Sequence, residues 1–401
     1  YTYRGTLENQ RPQPGRVFLG DGDGGFRRAS VELFPVDTLN TVNPSCCPQF
    51  GDLNGDGLPD MFLPMGGWDR DPFPGEQNRL YLSRPGGGWR DATSKLPQLT
   101  DFTHSAAIGD IRGLGMPDIV VGNIGDDDRI LPYVLLNGGD DSFSLDRTIL
   151  PVYGETMNFF TNGGHAITGT LLTDLDGDGL PELIATGEGP RQRGKPGSFV
   201  FWNRAGAFSE QDKTTLPTPA PFARSYIALA AAALDADGDG LLDLVIVGTQ
   251  RKDPFYDGWF VQLLMNRGDG TFADETSLRL QPHEQSSGNA GVATGAPWGQ
   301  WVEIVDFNGD GAADFVMTPA PSAGIMAEYL RPNQPLIWLN DGSGRFSALK
   351  VHHFVSPGYD WLLLQARLVR TRHGYSYVVT RSDPGSGGLV LTGLLATRPY
   401  R

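Results

Sequence analysis

Cysteine is almost missing from this chain of 401 residues, and the two that occur are neighbours, Cys46 and Cys47. A disulfide framework is therefore excluded as the source of its stability. Adjacent Cα atoms sit ~3.8 Å apart, short of the usual ~4.4–6.8 Å of a disulfide, so the pair reads either as two buried thiols or as a strained vicinal bridge. No apolar run approaches the ~18–20 residues that a membrane span requires. The longest, Ile227 to Leu234, is alanine-rich and runs straight into an acidic loop, which suits an inner strand. Basic residues are few, 32 Lys and Arg against 47 Asp and Glu, for a formal charge of −15. Nucleic acid, which needs a clustered basic face, is excluded as a partner. There is no G-x-S-x-G elbow, H-E-x-x-H pair or phosphate-cradling G-x-x-x-x-G-K-[ST] loop.

What is abundant is glycine, 54 residues, with 30 prolines and 39% hydrophobic residues. That mixture describes a turn-rich all-β protein with ample core. The glycines mark a recurring acidic loop, D-x-[DN]-G-D-G-x-x-[DE], present four times. The spacing suits a hard cation that gathers roughly 6–8 oxygens around one point. The expected ligands are Asp52, Asn54, Asp56 and Asp60, Asp174, Asp176, Asp178 and Glu182, Asp235, Asp237, Asp239 and Asp243, and Asp306, Asn308, Asp310 and Asp314. Position 7, occupied by Leu58, Leu180, Leu241 or Ala312, can offer only its carbonyl. About four Ca²⁺ ions are thus expected. A single such loop would pass for an Asp/Gly surface turn. Four copies crowd carboxylates that repel one another unless a cation intervenes. An EF-hand would require flanking helices and a glutamate at position 12, whereas strand-like runs flank these loops. A fifth copy, Asp110 to Asp118, keeps the frame but places Arg112 and Leu114 at two ligand positions, and no metal is expected there.

Each loop is followed by a β-branched or aromatic run, then a variable stretch, then a strand ending in a Gly-rich turn and an aromatic: LNGGDDSF to Phe143, WNRAGAF to Phe208, MNRGDGTF to Phe272 and LNDGSGRF to Phe346. One unit is therefore strand A, acidic loop, strand B, variable loop, strand C, turn, strand D: a four-stranded antiparallel blade. Several blades arranged radially would make a β-propeller.

Over about residues 14 to 350 these motifs resemble the FG-GAP/VCBS repeats of integrin-α-like propellers. The resemblance implies a calcium-stabilised, usually extracellular propeller serving in adhesion, as a lectin or, occasionally, as a polysaccharide lyase. Repeat units are expected at about 1–34, 45–98, 103–150, 164–215, 225–280, 298–352 and 360–401, within one domain of 1–401. Residues 1–34 read as strands B, C and D (YTYRGT, RVFLG, RRASVELF), and 360–397 as a unit without an acidic loop. Counting the two ends as separate blades gives seven, our choice; merging them gives six. Either way, terminal strands would close the ring.

Alternating strand direction places the acidic loops and Gly-rich turns at one end of each blade and the long loops at the other. Long loops on a rigid scaffold concentrate binding residues. Trp68, Tyr256, Trp259, Trp298 and Trp301 are the ligand-contact candidates there, suited to sugar rings or a protein hot spot. The expected function is a secreted, periplasmic or cell-surface binding module recognising a glycan or a partner protein. Two alternatives stay open. One is a lyase on acidic polysaccharide, with His104, His165, Tyr226 and Arg224 supplying base, acid and charge neutralisation; the other is a structural module of a larger extracellular assembly.

Overall fold

The computed structural model describes residues 13–14, 17–23, 25–35, 40–41, 48–67, 74–123, 131–151, 167–188, 197–219, 225–252, 255–281, 292–293, 298–320, 335–350, 365–372, 374–382 and 389–396. These form antiparallel sheets almost without helix; the single α-helix among the described residues is one turn, Thr276–Arg279. No helix of the described residues is long and apolar enough to cross a membrane.

Sheet 1 contains Gln49–Gly51, Asp60–Leu63, Arg79–Ser83 and Trp89–Asp91. Sheet 2 contains Thr103–Gly109, Asp118–Asn123, Tyr133–Asn137 and Phe143–Asp146. Sheet 3 contains Ile167–Thr173, Glu182–Gly187, Phe199–Phe201 and Lys213–Thr215. Sheet 4 contains Tyr226–Leu234, Asp243–Lys252, Phe255–Asn266 and Phe272–Asp274, with Val292–Ala293 added beside its third strand. Sheet 5 contains Trp298–Val305, Asp314–Ala320, Pro335–Asn340 and Phe346–Lys350. Sheet 6 has three strands, Gln365–Thr371, Gly374–Ser382 and Leu389–Ala396. In sheets 1 to 5 consecutive strands A to D pair in chain order, an up-and-down meander that matches the expected blade.

Period-2 alternation builds the cores. In strand B of sheet 2, Ile119 and Val121 pack with Phe62, Leu80 and Leu82 of sheet 1, while Val120 between them packs with Leu183, Ala185 and Phe201 of sheet 3. A strand sandwiched on both faces needs apolar side chains at every position, which is why the B strands read as unbroken hydrophobic runs. Sheets 4 and 5 share a third core around Trp259 and Trp338, both fully buried with ring centroids 5.8 Å apart and edge to face.

By contact density the chain divides into two compact units. One holds Tyr3–Leu19 and Arg27–Thr215, with sheets 1 to 3; the other holds Tyr1–Thr2, Gly20–Phe26 and Leu216–Arg401, with sheets 4 to 6. Within the second, the Arg372 amide donates to the Gly22 carbonyl (2.8 Å), tying an N-terminal turn to sheet 6.

Two segments depart from the sequence expectation. RRASVELF does not run on as a strand: pairing stops at Arg28, and Ser30 accepts the Phe34 amide at its carbonyl (3.0 Å), turning the chain over Val31–Leu33. The stretch from Gln250 to Gly258, which falls in the variable stretch expected between strands B and C, is mostly strand, since Gln250, Arg251 and Lys252 pair with Asp257, Tyr256 and Phe255.

Candidate metal centres

The four acidic loops fold alike because their own amides are organised by their own carboxylates. The position-1 aspartate accepts at one oxygen from the position-4 glycine amide: Gly55 to Asp52 (2.7 Å), Gly177 to Asp174 (2.7 Å), Gly238 to Asp235 (2.8 Å) and Gly309 to Asp306 (2.8 Å). Its second oxygen accepts from the position-6 glycine, Gly57, Gly179, Gly240 or Gly311, at 2.8–3.1 Å. Those glycines hold φ between 77° and 90°. A Cβ at any of the eight would meet nothing within 4 Å, so the requirement is conformational rather than steric. The position-5 aspartate receives the amide of position 7, as in Leu58 to Asp56 (2.9 Å) and Ala312 to Asp310 (2.8 Å).

The position-9 acid works differently. Asp60, Glu182, Asp243 and Asp314 are 0–1% exposed. One oxygen accepts the position-2 amide of its own loop, from Leu53, Leu175, Ala236 or Phe307, at 2.7–3.0 Å. The other accepts an amide from the end of strand C: Ser83 (2.7 Å), Asn203 (3.4 Å), Asn266 (2.8 Å) or Asn340 (2.7 Å). Each acid thus staples an A–B loop to strand C. Burial, reinforced by repulsion from Asp176 and Asp178 and opposed by those amides, pushes Glu182 up to about 7. Burial and the neighbouring loop carboxylates likewise raise Asp243 and Asp314 to about 6, and raise Asp60.

Carboxylates so placed outnumber the cations beside them: among the described residues Arg279 reaches Asp237 (2.9 Å) and Arg204 lies 3.7 Å from Asp176. Oxygens of Asp174, Asp176 and Glu182, and of Asp235, Asp237 and Asp239, lie within 4.8 Å of one another. In the second group Asp237 Oδ1 is buried without a hydrogen-bond partner. A hard, all-oxygen donor set with one oxygen left over fits a divalent cation such as Ca²⁺. These residues would hold it, and the ion would supply the charge that lets the turn close.

A family model described as FG-GAP-like repeat matches residues 174–246 and 235–317, each match opening on the first aspartate of an acidic loop. Residues 174–317 carry FG-GAP-like repeats. No curated protein matches the sequence. Among solved structures the chain is similar to the V. cholerae biofilm matrix protein Bap1, at 12% identity over 86% of this chain and 76% of that one, with a TM-score of 0.27.

The fifth frame, Asp110 to Asp118, is filled from within. Arg112 Nε and Nη2 donate to the two oxygens of Asp118 at 2.9 and 2.8 Å, and Nη2 also reaches the Asn137 carbonyl (2.7 Å). Asp110 still accepts from Leu114 and Gly115 (2.9 and 2.6 Å), so the turn survives with a guanidinium as its cation.

Sequence reasoning missed the asparagine that ends strand C in sheets 2 to 5. Its side-chain oxygen caps the following turn, accepting from Gly139, Gly206, Gly268 or Gly342 at 2.9–3.0 Å. Its side-chain nitrogen donates to the carbonyl before position 9 of its own loop, and Asn137, Asn203 and Asn340 also reach the position-2 carbonyl of the preceding repeat, at Leu53 (2.7 Å), Ile111 (2.9 Å) and Ala236 (2.8 Å). The recurrent Asn two or three residues ahead of the glycine was the available signal.

The remaining candidates scatter. Trp259 is a core side chain at 0% exposure, packed on Trp338, and is withdrawn as a ligand contact: strand C of sheet 4 starts at Phe255, placing it inside the sheet. Tyr226 opens strand A of sheet 4 at 2% exposure, edge-on to Phe260. His104 is half-buried in sheet 2, its Nδ1 3.2 Å from the Phe102 carbonyl. Trp301 is half-buried in strand A of sheet 5, which Trp298 begins. Tyr256 lies in strand C of sheet 4. Trp68, His165, Arg224, Cys46 and Cys47 lie outside the described residues.

Proposed function

We propose that this chain is a calcium-stabilised β-propeller of seven blades that acts outside the cell as an adhesion-type binding module. The observation that carries the reading is the contrast inside one repeat pattern: one frame carries Arg112 at position 3 and pairs it with its buried acid, and the other four carry Asn54, Asp176, Asp237 or Asn308 there. Loops of this kind fill at roughly 10⁻⁴–10⁻³ M calcium, the extracellular range. Stabilised by ions at one end of sheets 1, 3, 4 and 5, the module would meet a glycan or protein partner through the loops at the other end, with Trp68, Tyr256, Trp298 and Trp301 as contacts.

Thermal unfolding with calcium and with EDTA tests the metal half of the reading. An ion at 100 times its Kd adds about 2.7 kcal/mol per site, so Tm should fall by well over ten degrees on chelation; an unchanged Tm removes the ions. A glycan array and a surface-protein capture with calcium-loaded protein test the binding half, and silence in both would remove it.

A further inference from the structure

We infer that the acidic loops of sheets 4 and 5 bind their cations cooperatively, wired together by Asn340, whereas the loop of sheet 1 binds alone. The inference rests on the calcium reading above. The wire is a continuous run of hydrogen bonds. Asp243 accepts the Ala236 amide (3.0 Å); the carbonyl of the same residue accepts the Asn340 side chain (2.8 Å); and the Asn340 amide donates to Asp314 (2.7 Å). One buried carboxylate from each loop therefore sits at each end, joined through one residue and one asparagine. Ordering loop 235–243 fixes Ala236, which fixes Asn340, which seats Asp314; the entropy of that ordering is spent once for two ions.

A second strap runs in parallel. Arg279 donates to Asp237 (2.9 Å), a loop ligand, and to the Ser343 carbonyl (3.1 Å) in the next repeat's C–D turn. That turn is fixed to Asn340 through Gly342 and Gly344 (3.0 and 3.1 Å). Loop 235–243 is thus linked to the asparagine of the next repeat by two routes, one from Ala236 at position 2 and one from Asp237 at position 3.

The same wire exists between sheets 1 and 2 but ends differently. It runs from Asp60 to the Leu53 amide (2.8 Å), from the Leu53 carbonyl to Asn137 (2.7 Å), and from the Asn137 amide to Asp118 (2.8 Å). Asp118 is already held by Arg112, so loop 52–60 faces a neighbour that is always ordered and has no second ion to communicate with.

Calcium titration of the full chain followed by hydrogen-exchange mass spectrometry, which gives a separate midpoint for each loop peptide, tests this. Silencing loop 306–314 with Asp306→Asn and Asp310→Asn should weaken the midpoint of loop 235–243 about 5-fold or more, as coupling energies of this kind usually do, and leave loop 52–60 unmoved. Asn340→Ala, with every ligand intact, should make the two loops titrate independently. An unmoved loop 235–243 in the silenced variant overturns the inference, even if Asn340→Ala fails to fold. Absence of calcium-dependent protection in every loop of the unmodified chain would instead overturn the calcium reading, and this inference with it.

Discussion

Loop 235–243 and loop 110–118 share one backbone frame and solve its electrostatic problem in opposite ways. In the first, Asp235, Asp237 and Asp239 converge, and Asp237 Oδ1 is buried without a donor. In the second, Arg112 forks onto Asp118 and no carboxylate stands at position 5. The position-9 acid is buried in both, and in both it clamps strand C through an asparagine amide, Asn266 or Asn137, at 2.8 Å. The difference teaches that one frame can surround its buried position-9 carboxylate either with a guanidinium or with further carboxylates. On the calcium reading proposed above, positions 3 and 5 decide whether the frame carries its own cation or recruits one from solution.

The largest effect should come from removing the attached cation. Arg112→Ala leaves Asp118 buried and uncompensated, which costs roughly 3–5 kcal/mol. Urea unfolding should show that loss, and added calcium should not restore it, because position 5 is Leu114. A loss below about 1 kcal/mol would mean that the clamp needs no cation. Arg112→Asn combined with Leu114→Asp then converts one solution into the other: native mass spectrometry should count one additional calcium, and the stability lost should return only in its presence.

These contrasts were largely legible in the residues, because both the acidic frame and the strand pattern are local. A nine-residue spacing and a period of two need no tertiary information, and the Arg112 and Leu114 exchanges are visible directly as two lost ligand positions. Contacts across the chain were not legible. Asn137, Asn203 and Asn340 reach carbonyls 84, 92 and 104 residues away, and in sequence each is only a turn residue. Trp259 failed for a related reason. Its neighbourhood, with Asp253, Pro254 and Gly258, reads as loop, yet a long hairpin carries it into the core against Trp338. At residues 31–33 a serine cap overrode apolar residues that read as strand.

A smaller effect separates the two loop types by pH. In calcium-free protein Glu182 titrates near 7 and Asp243 and Asp314 near 6, all above their ordinary values of 4.5, 3.8 and 3.8. The folded state therefore holds protons that the unfolded chain has released, and stability falls as pH rises from about 4 to about 7. The turn-capping carboxylates Asp140, Asp269 and Asp341 are lowered by their Ser or Thr partners and act below that window. With EDTA, Tm should be higher near pH 5 than near pH 8. Calcium must displace those protons, so calorimetry at about pH 6 in buffers of different ionisation enthalpy should register proton release that disappears by about pH 8. Equal heats in all buffers at about pH 6 would mean these acids are already ionised.

The smallest effect concerns arginines that touch intact loops without filling them. Arg279 contacts Asp237 at 2.9 Å and is 18% exposed, while Arg204 lies 3.7 Å from Asp176 and is 52% exposed. An exposed pair at that distance is worth well under about 1 kcal/mol. Arg204→Ala should therefore leave the calcium midpoint of loop 174–182 within about 3-fold of its starting value, shifting toward tighter binding as one competing positive charge is withdrawn. A larger shift would place Arg204 on the same footing as Arg112, a cation belonging to the loop rather than a neighbour of it, and the two-way division drawn between filled and unfilled frames would become a gradient.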